Sequence, residues 1–130
     1  MSVPELPAFT ILVVDDDETV RTVISRMLRT EGFAVVTARD GLEALQLVNR
    51  STDPISLLVS DLKMPRMTGR ELAERLSGRT PAIPMLFISG HPTEVLAGAL
   101  PGPVLMKPFA INDLVSTVYA LLSVHRYQPA

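Results

Sequence analysis

Four places in this 130-residue chain carry side chains that could do chemistry together. The acids Asp15, Asp16 and Asp17 follow the apolar run ILVV. Asp61 follows LLVS, Ser89 and Gly90 close MLFISG, and Lys107 with Pro108 follows VLM. Carboxylates packed within a few ångströms repel each other, so one must protonate or a cation must sit among them. An all-oxygen set of carboxylates, carbonyl and water suits magnesium. A lysine at the rim balances charge and can hold an anion, and a hydroxyl can donate to that anion. Together these groups describe a site that transfers a phosphoryl group. Metal and lysine neutralise the equatorial oxygens, and a carboxylate serves as nucleophile. Asp61 is the natural nucleophile, because Asp15 and Asp16 can share the metal while Asp61 stands alone.

The elements that must position these groups alternate in kind. Phe9–Val14, Phe33–Ala38, Ile55–Ser60, Ile83–Ser89 and Val104–Met106 read as strands. They are apolar on successive residues, which suits a parallel sheet covered on both faces. Between them lie helical stripes. Val20, Val23, Ile24, Met27 and Leu28 form one, ended by Gly32. Leu42, Leu45 and Val48 form a second, opened by Asp40 as cap with Glu43 three residues on. Thr68 with Glu71 opens a third, with Leu72, Ala73 and Leu76 inward. Ile111, Leu114, Val115, Val118, Leu121 and Leu122 line the last, whose cap position holds the poor capping residue Ala110. Between His91 and Pro103 the prolines and glycines leave room for a short, irregular fourth helix. Five strands alternating with five helices imply an α/β doubly wound sheet. Ligands of such sheets bind beyond the carboxyl ends of the strands, where all four chemical groups fall.

The remaining sequence narrows the function classes. The length predicts one domain, at roughly 100–200 residues per domain. It divides into a flexible arm at 1–8, the domain at 9–125 and a tail at 126–130. Zero cysteines exclude disulfides, thiolate metal sites and cysteine nucleophiles. Twelve bases against 14 acids give no reason to expect a nucleic-acid surface. No apolar run approaches the ~18–20 residues that span a bilayer, and the N-terminus lacks the pattern of a signal peptide. A soluble cytoplasmic domain is expected.

"ILVVDDD", "LLVSDLKMPRMTG", "MLFISG" and "LMKPF", in that order, resemble the receiver domain of two-component response regulators, from about Thr10 to Val124. The resemblance implies a flavodoxin-like sheet of order 2-1-3-4-5. It implies that Asp61 accepts phosphate from the phosphohistidine of a sensor histidine kinase or phosphotransfer protein. Asp15 and Asp16 would bind Mg2+ with Asp61 and the backbone carbonyl of Lys63. Ser89 would swing to bond the phosphoryl group, and Lys107 would contact one of its oxygens. The Lys107–Pro108 peptide would be cis. Small Gly90 would leave space for the donor, and Lys63 and His91 would tune hydrolysis. The domain would be a monomer or weak dimer acting on a downstream target the sequence does not name.

Three departures from the family pattern stand out. Val104 occupies the place of the switch aromatic found in many receivers, the Ser89–Lys107 stretch is short, and Ala110 replaces the usual cap after KPF. "SGH…KPF" and "MTGRELAERL" are most similar to receivers attached to hybrid histidine kinases.

Two other readings compete. "VVDDDET" also fits the DxDxT motif of haloacid-dehalogenase-type phosphatases, with Asp15 as nucleophile and Asp17 as acid–base. That reading leaves Asp61 and KMPRMTG unexplained. A pseudo-receiver, a pure interaction module of the same fold, should have lost acids that this chain retains.

Overall fold

The computed structural model describes residues 9–50, 54–79 and 81–123. The expected arm at 1–8, the tail at 126–130 and the end of the expected domain at 124–125 lie outside them.

The strands are β1 (Thr10–Val14), β2 (Ala34–Ala38), β3 (Leu57–Asp61), β4 (Met85–Ser89) and β5 (Val104–Met106). The helices are α1 (Glu18–Thr30), α2 (Gly41–Arg50), α3 (Gly69–Leu76), α4 (Pro92–Val95) and α5 (Ile111–Leu122). The strands form one sheet of order β2-β1-β3-β4-β5, and every pairing is parallel. This is the expected doubly wound, flavodoxin-like architecture. Four strands begin one or two residues later than the apolar runs suggested, because an apolar residue can pack on the core before its backbone joins the ladder.

Alternation along each strand divides the core. Leu12, Val14, Leu58 and Phe87 pack with Ala44, Val48, Leu72 and Leu76 from α2 and α3. Ile11, Val13, Leu57, Val59, Leu86 and Ile88 pack with Ile24, Leu28, Leu114, Val115 and Val118 from α1 and α5. Both faces are covered, which is why the strands read as unbroken apolar runs.

The caps follow the chemistry of their residues. Asp17 opens α1, accepting from the Thr19 and Val20 N–H groups. Asp40 accepts from Glu43 N–H at 2.8 Å, and Thr68 Oγ1 accepts from Glu71 N–H at 3.1 Å. At the end of α1, Gly32 adopts φ 100°, while Gly32 N–H and Phe33 N–H bond back to Arg29 and Leu28 carbonyls. Only glycine takes that left-handed turn without cost. Ala110 makes no side-chain cap, as expected.

Three stripe residues are not inward. Val23, Leu42 and Ile111 are 45%, 49% and 53% exposed. In α1 the residues against the sheet are Ile24, Ser25 and Leu28, so the covered face is rotated away from Val23. Ser25 tolerates burial because its hydroxyl donates to the Arg21 carbonyl at 2.7 Å. Hydropathy names an apolar stripe, but the sheet covers only part of its width.

α4 is a single turn without a side-chain cap or a buried residue. Arg70 of α3 holds this region, donating to the carbonyls of Ala99 at 2.8 Å and Glu94 at 3.2 Å.

Candidate functional site

The parallel sheet brings the carboxyl ends of β1, β3, β4 and β5 to one edge. Asp15 follows β1, Asp61 and Ser89 are the last residues of β3 and β4, and Lys107 follows β5. The ladder extends to both flanks: Asp15 N–H donates to Ala38 and Lys107 N–H to Ser89. The site residues are therefore seated by backbone pairing rather than by loose loops.

Asp15 is buried and Asp61 nearly so, while Asp16 is exposed beside them. One carboxylate oxygen from each of the three lies within 4.8 Å of the others. Lys107 Nζ stands 3.5 Å from Asp61 Oδ2 and 3.9 Å from Asp15 Oδ2. Asp15 Oδ1 accepts the Asp17 N–H at 2.9 Å, but its Oδ2 is buried with no hydrogen-bond partner. Asp61 Oδ1 receives the Lys63 N–H at 3.4 Å.

The electrostatics follow from this crowding. Burial is the main force pushing the Asp15 carboxyl from 3.8 up to about 6. The Asp17 N–H and Lys107 oppose that rise, and the charge of Asp61 adds to it. Burial also raises Asp61, against the pull of Lys107 and the Lys63 N–H. A single lysine does not neutralise three close carboxylates, and an orphaned buried oxygen costs free energy. Clustered carboxylate oxygens, one of them buried without a hydrogen bond, fit a hard divalent cation. The donor set therefore suits a metal ion held by Asp15, Asp16 and Asp61.

Other expected site residues fall around this centre. Gly90 and His91 are exposed, and a methyl group at Gly90 would approach only Lys107 Cδ, at 3.9 Å, so the approach to the site is open. The Lys107–Pro108 peptide is cis, as the resemblance implied. Val104 pairs with Phe87 and packs on the α2–α3 side of the core. Asp17 does not join the cluster, because its carboxylate is engaged as the α1 cap. In the phosphatase reading that same carboxylate would have to serve as acid–base while capping α1.

Three contributors escaped sequence reasoning. Arg21 donates to the Asp15 carbonyl at 2.6 Å, one turn into α1. Glu94 accepts the Ser89 hydroxyl at 2.8 Å. Gly69 lies so close to Asp61 that an added methyl would collide with the Asp61 carbonyl. The first two sit in runs with no chemical pattern, and only MTG in the quoted motif hinted at the third.

The sequence profile described as the response regulator receiver domain matches residues 11–119. The chain belongs to the response regulator receiver domain family. Receiver domains are phosphorylation-dependent signalling modules phosphorylated by histidine kinases, and the Asp15/Asp16/Asp61 cluster fits their phosphoacceptor site. The chain is 34% identical over 117 residues to the sensor kinase CckA of Brucella abortus, covering 87% of this chain and 12% of that protein. It is 39% identical over 116 residues to the response regulator MprA of Mycobacterium tuberculosis, covering 86% of this chain and 50% of that protein. The chain thus spans half or less of these curated relatives. Among solved structures, the receiver domain of the hybrid histidine kinase CckA superposes with a TM-score of 0.74 at 36% identity, covering 87% of this chain and 98% of that one. The chemotaxis response regulator CheY4 of Vibrio cholerae gives 0.75 at 29% identity, covering 88% and 99%. Among the described residues of this receiver domain, no helix is long and apolar enough to cross a membrane.

Proposed function

We propose that this receiver domain accepts a phosphoryl group on Asp61, from a phosphohistidine of a sensor histidine kinase or phosphotransfer protein, in a magnesium-dependent reaction in the cytoplasm. The observation that supports this reading most is the seat of Asp61. Its carboxylate ends a central strand, 3.5 Å from Lys107 Nζ and in one cluster with the carboxylates of Asp15 and Asp16.

One oxygen of Asp61 attacks phosphorus in line as the P–N bond of the donor breaks. The bonding pair leaves with the imidazole, and Asp61 becomes an acyl phosphate. Lys107 transfers its ion pair from the carboxylate to a phosphoryl oxygen. Asp15, Asp16, Asp61 and the Lys63 carbonyl would hold Mg2+. Bound there, the ion would neutralise charge on the transferring group. Ser89 donates to the phosphoryl group, Gly90 keeps the approach open, and Pro108 follows the lysine that must reach it. Lys63 and His91 stand at the rim where a hydrolytic water enters. The domain acts as a regulatory unit spanning 9–125 that completes and reverses its own modification, rather than a steady-state enzyme.

The test is incubation with a small phosphodonor and magnesium. Wild type should gain one hydroxylamine-sensitive phosphoryl group, visible by intact mass. Asp61→Asn should gain none, and chelation of magnesium should suppress uptake in wild type. Equal labelling of Asp61→Asn would assign the acceptor elsewhere. Phosphate-ester turnover that needs Asp15 but not Asp61 would favour the phosphatase reading instead.

A further inference from the structure

Ser89 is buried at the end of β4, and its hydroxyl is already committed. It lies 2.8 Å from Glu94 Oε2 and 2.9 Å from the His91 carbonyl, and it accepts the His91 N–H at 3.1 Å. A hydroxyl carries one proton. A charged acceptor holds it more strongly than a carbonyl does. The proton that Ser89 would offer a phosphoryl group is therefore held by the Glu94 carboxylate.

The element carrying Glu94 has few other supports. α4 is one turn, has no side-chain cap, and buries no residue. An isolated turn does not sustain itself in water. Beyond the Ser89–Glu94 bond, it is held by Arg70 on the Glu94 carbonyl and by Val95 packed against the core. Val104 offers no aromatic ring to report the position of the Ser89 hydroxyl.

We infer that Glu94 is a positioning residue that latches Ser89 to α4, and that phosphorylation is read out by breaking this latch. The inference rests on Asp61 being the phosphoacceptor. A phosphoryl group brings about -1.5 to -2 charge with strong acceptor oxygens. It competes with Glu94 for the single Ser89 proton, and its charge repels the carboxylate. Once Ser89 turns to the phosphoryl group, α4 loses its bond to the sheet. The single turn then loosens around the Arg70 tether. Glu94 lies on the wall of a groove of about 570 Å³ lined also by Lys63, Arg70 and His91, so the displaced carboxylate has open space to enter.

The latch costs the phosphorylated state the bond it breaks, so removing it should favour that state. The probe is beryllium fluoride with magnesium, a phosphoryl mimic. Its affinity is measured together with amide exchange across 92–95. Glu94→Ala should bind the mimic about three- to tenfold more tightly than wild type, the scale of one net hydrogen bond. Glu94→Gln, which can still accept the bond without charge, should fall between. Without metal or mimic, α4 amides of Glu94→Ala should already exchange as fast as those of mimic-bound wild type. On a Ser89→Ala background, Glu94→Ala should leave α4 exchange unchanged and should alter mimic affinity no more than Glu94→Gln does, which is the charge effect alone. Unchanged affinity and exchange in Glu94→Ala, or a change in α4 exchange that persists without Ser89, overturns the latch. Failure of wild type to bind the mimic overturns the phosphoacceptor reading, and the latch with it.

Discussion

Asp15→Asn should raise the melting temperature of the metal-free domain by about 5–10 °C near pH 7.5, even though it removes a residue of the site. Burial moves the Asp15 carboxyl from 3.8 to about 6, so keeping it ionised in the folded state costs ~3 kcal/mol. Between those two values the folded domain still holds the proton that the unfolded chain has released. The Asp15 contribution to stability is therefore most favourable below 3.8, declines across the window, and stays reduced above about 6. Asparagine does not ionise. It keeps the Oδ1 acceptor used by the Asp17 N–H at 2.9 Å. Its amide replaces the oxygen that has no hydrogen bond. The attraction to Lys107, at 3.9 Å, is already part of the balance that leaves Asp15 at about 6, so its loss is counted within the gain. The gap between variant and wild type should shrink to about half at pH 5, where wild-type Asp15 is largely protonated. Millimolar magnesium should raise the melting temperature of wild type by mass action and leave Asp15→Asn nearly unmoved. Thermal melts at the two pH values, with and without magnesium, read all of these. A variant that melts below wild type without metal at pH 7.5 would refute the assignment of a strained, metal-ready carboxylate.

Gly69→Ala should lower stability by about 1–3 kcal/mol and slow phosphoryl uptake on Asp61 at least tenfold. Helix propensity alone predicts the opposite sign, since alanine is favoured over glycine by about 1 kcal/mol within a helix. Sterics decides here. A methyl at Gly69 collides with the Asp61 carbonyl and stands 3.1 Å from Leu62 Cα. Both are backbone, which cannot rotate aside as a side chain can. Gly69 N–H is also bonded to the Leu62 carbonyl at 3.0 Å, so α3 cannot drift away freely. The displaced segment is the one that carries Asp61, so the strain reaches the nucleophile directly. Urea unfolding and initial rates of phosphoryl uptake measure the two effects. An alanine variant as stable and as quickly labelled as wild type would show that the close approach is not needed.

Sequence and structure divided the determination of this receiver domain along a physical line. Unbroken apolar runs required a sheet covered on both faces, and alternation with helical stripes required parallel pairing, so strand type and site edge were legible. Asp15, Asp16, Asp61 and Lys107 were legible too, because each closes or follows a strand and the fold aims strand ends at one place. Local caps were equally readable: Asp40 with Glu43 and Thr68 with Glu71 act within one helical turn. What could not be read were relations across distance and the exact facing of helices. Val23 and Ser25 exchange inward and outward places because the sheet sets the rotation of α1, and hydropathy does not. Asp17 has the same charge as its neighbours, yet geometry makes it a cap and leaves the metal cluster to the others. Arg70 reaches Ala99 across 29 positions, and Gly69 meets Asp61 only because α3 returns onto the end of β3. Residue chemistry and short-range periodicity live in the sequence; Ser89 Oγ meets Glu94 at 2.8 Å because the backbone turns after β4 and brings that carboxylate back to the strand end.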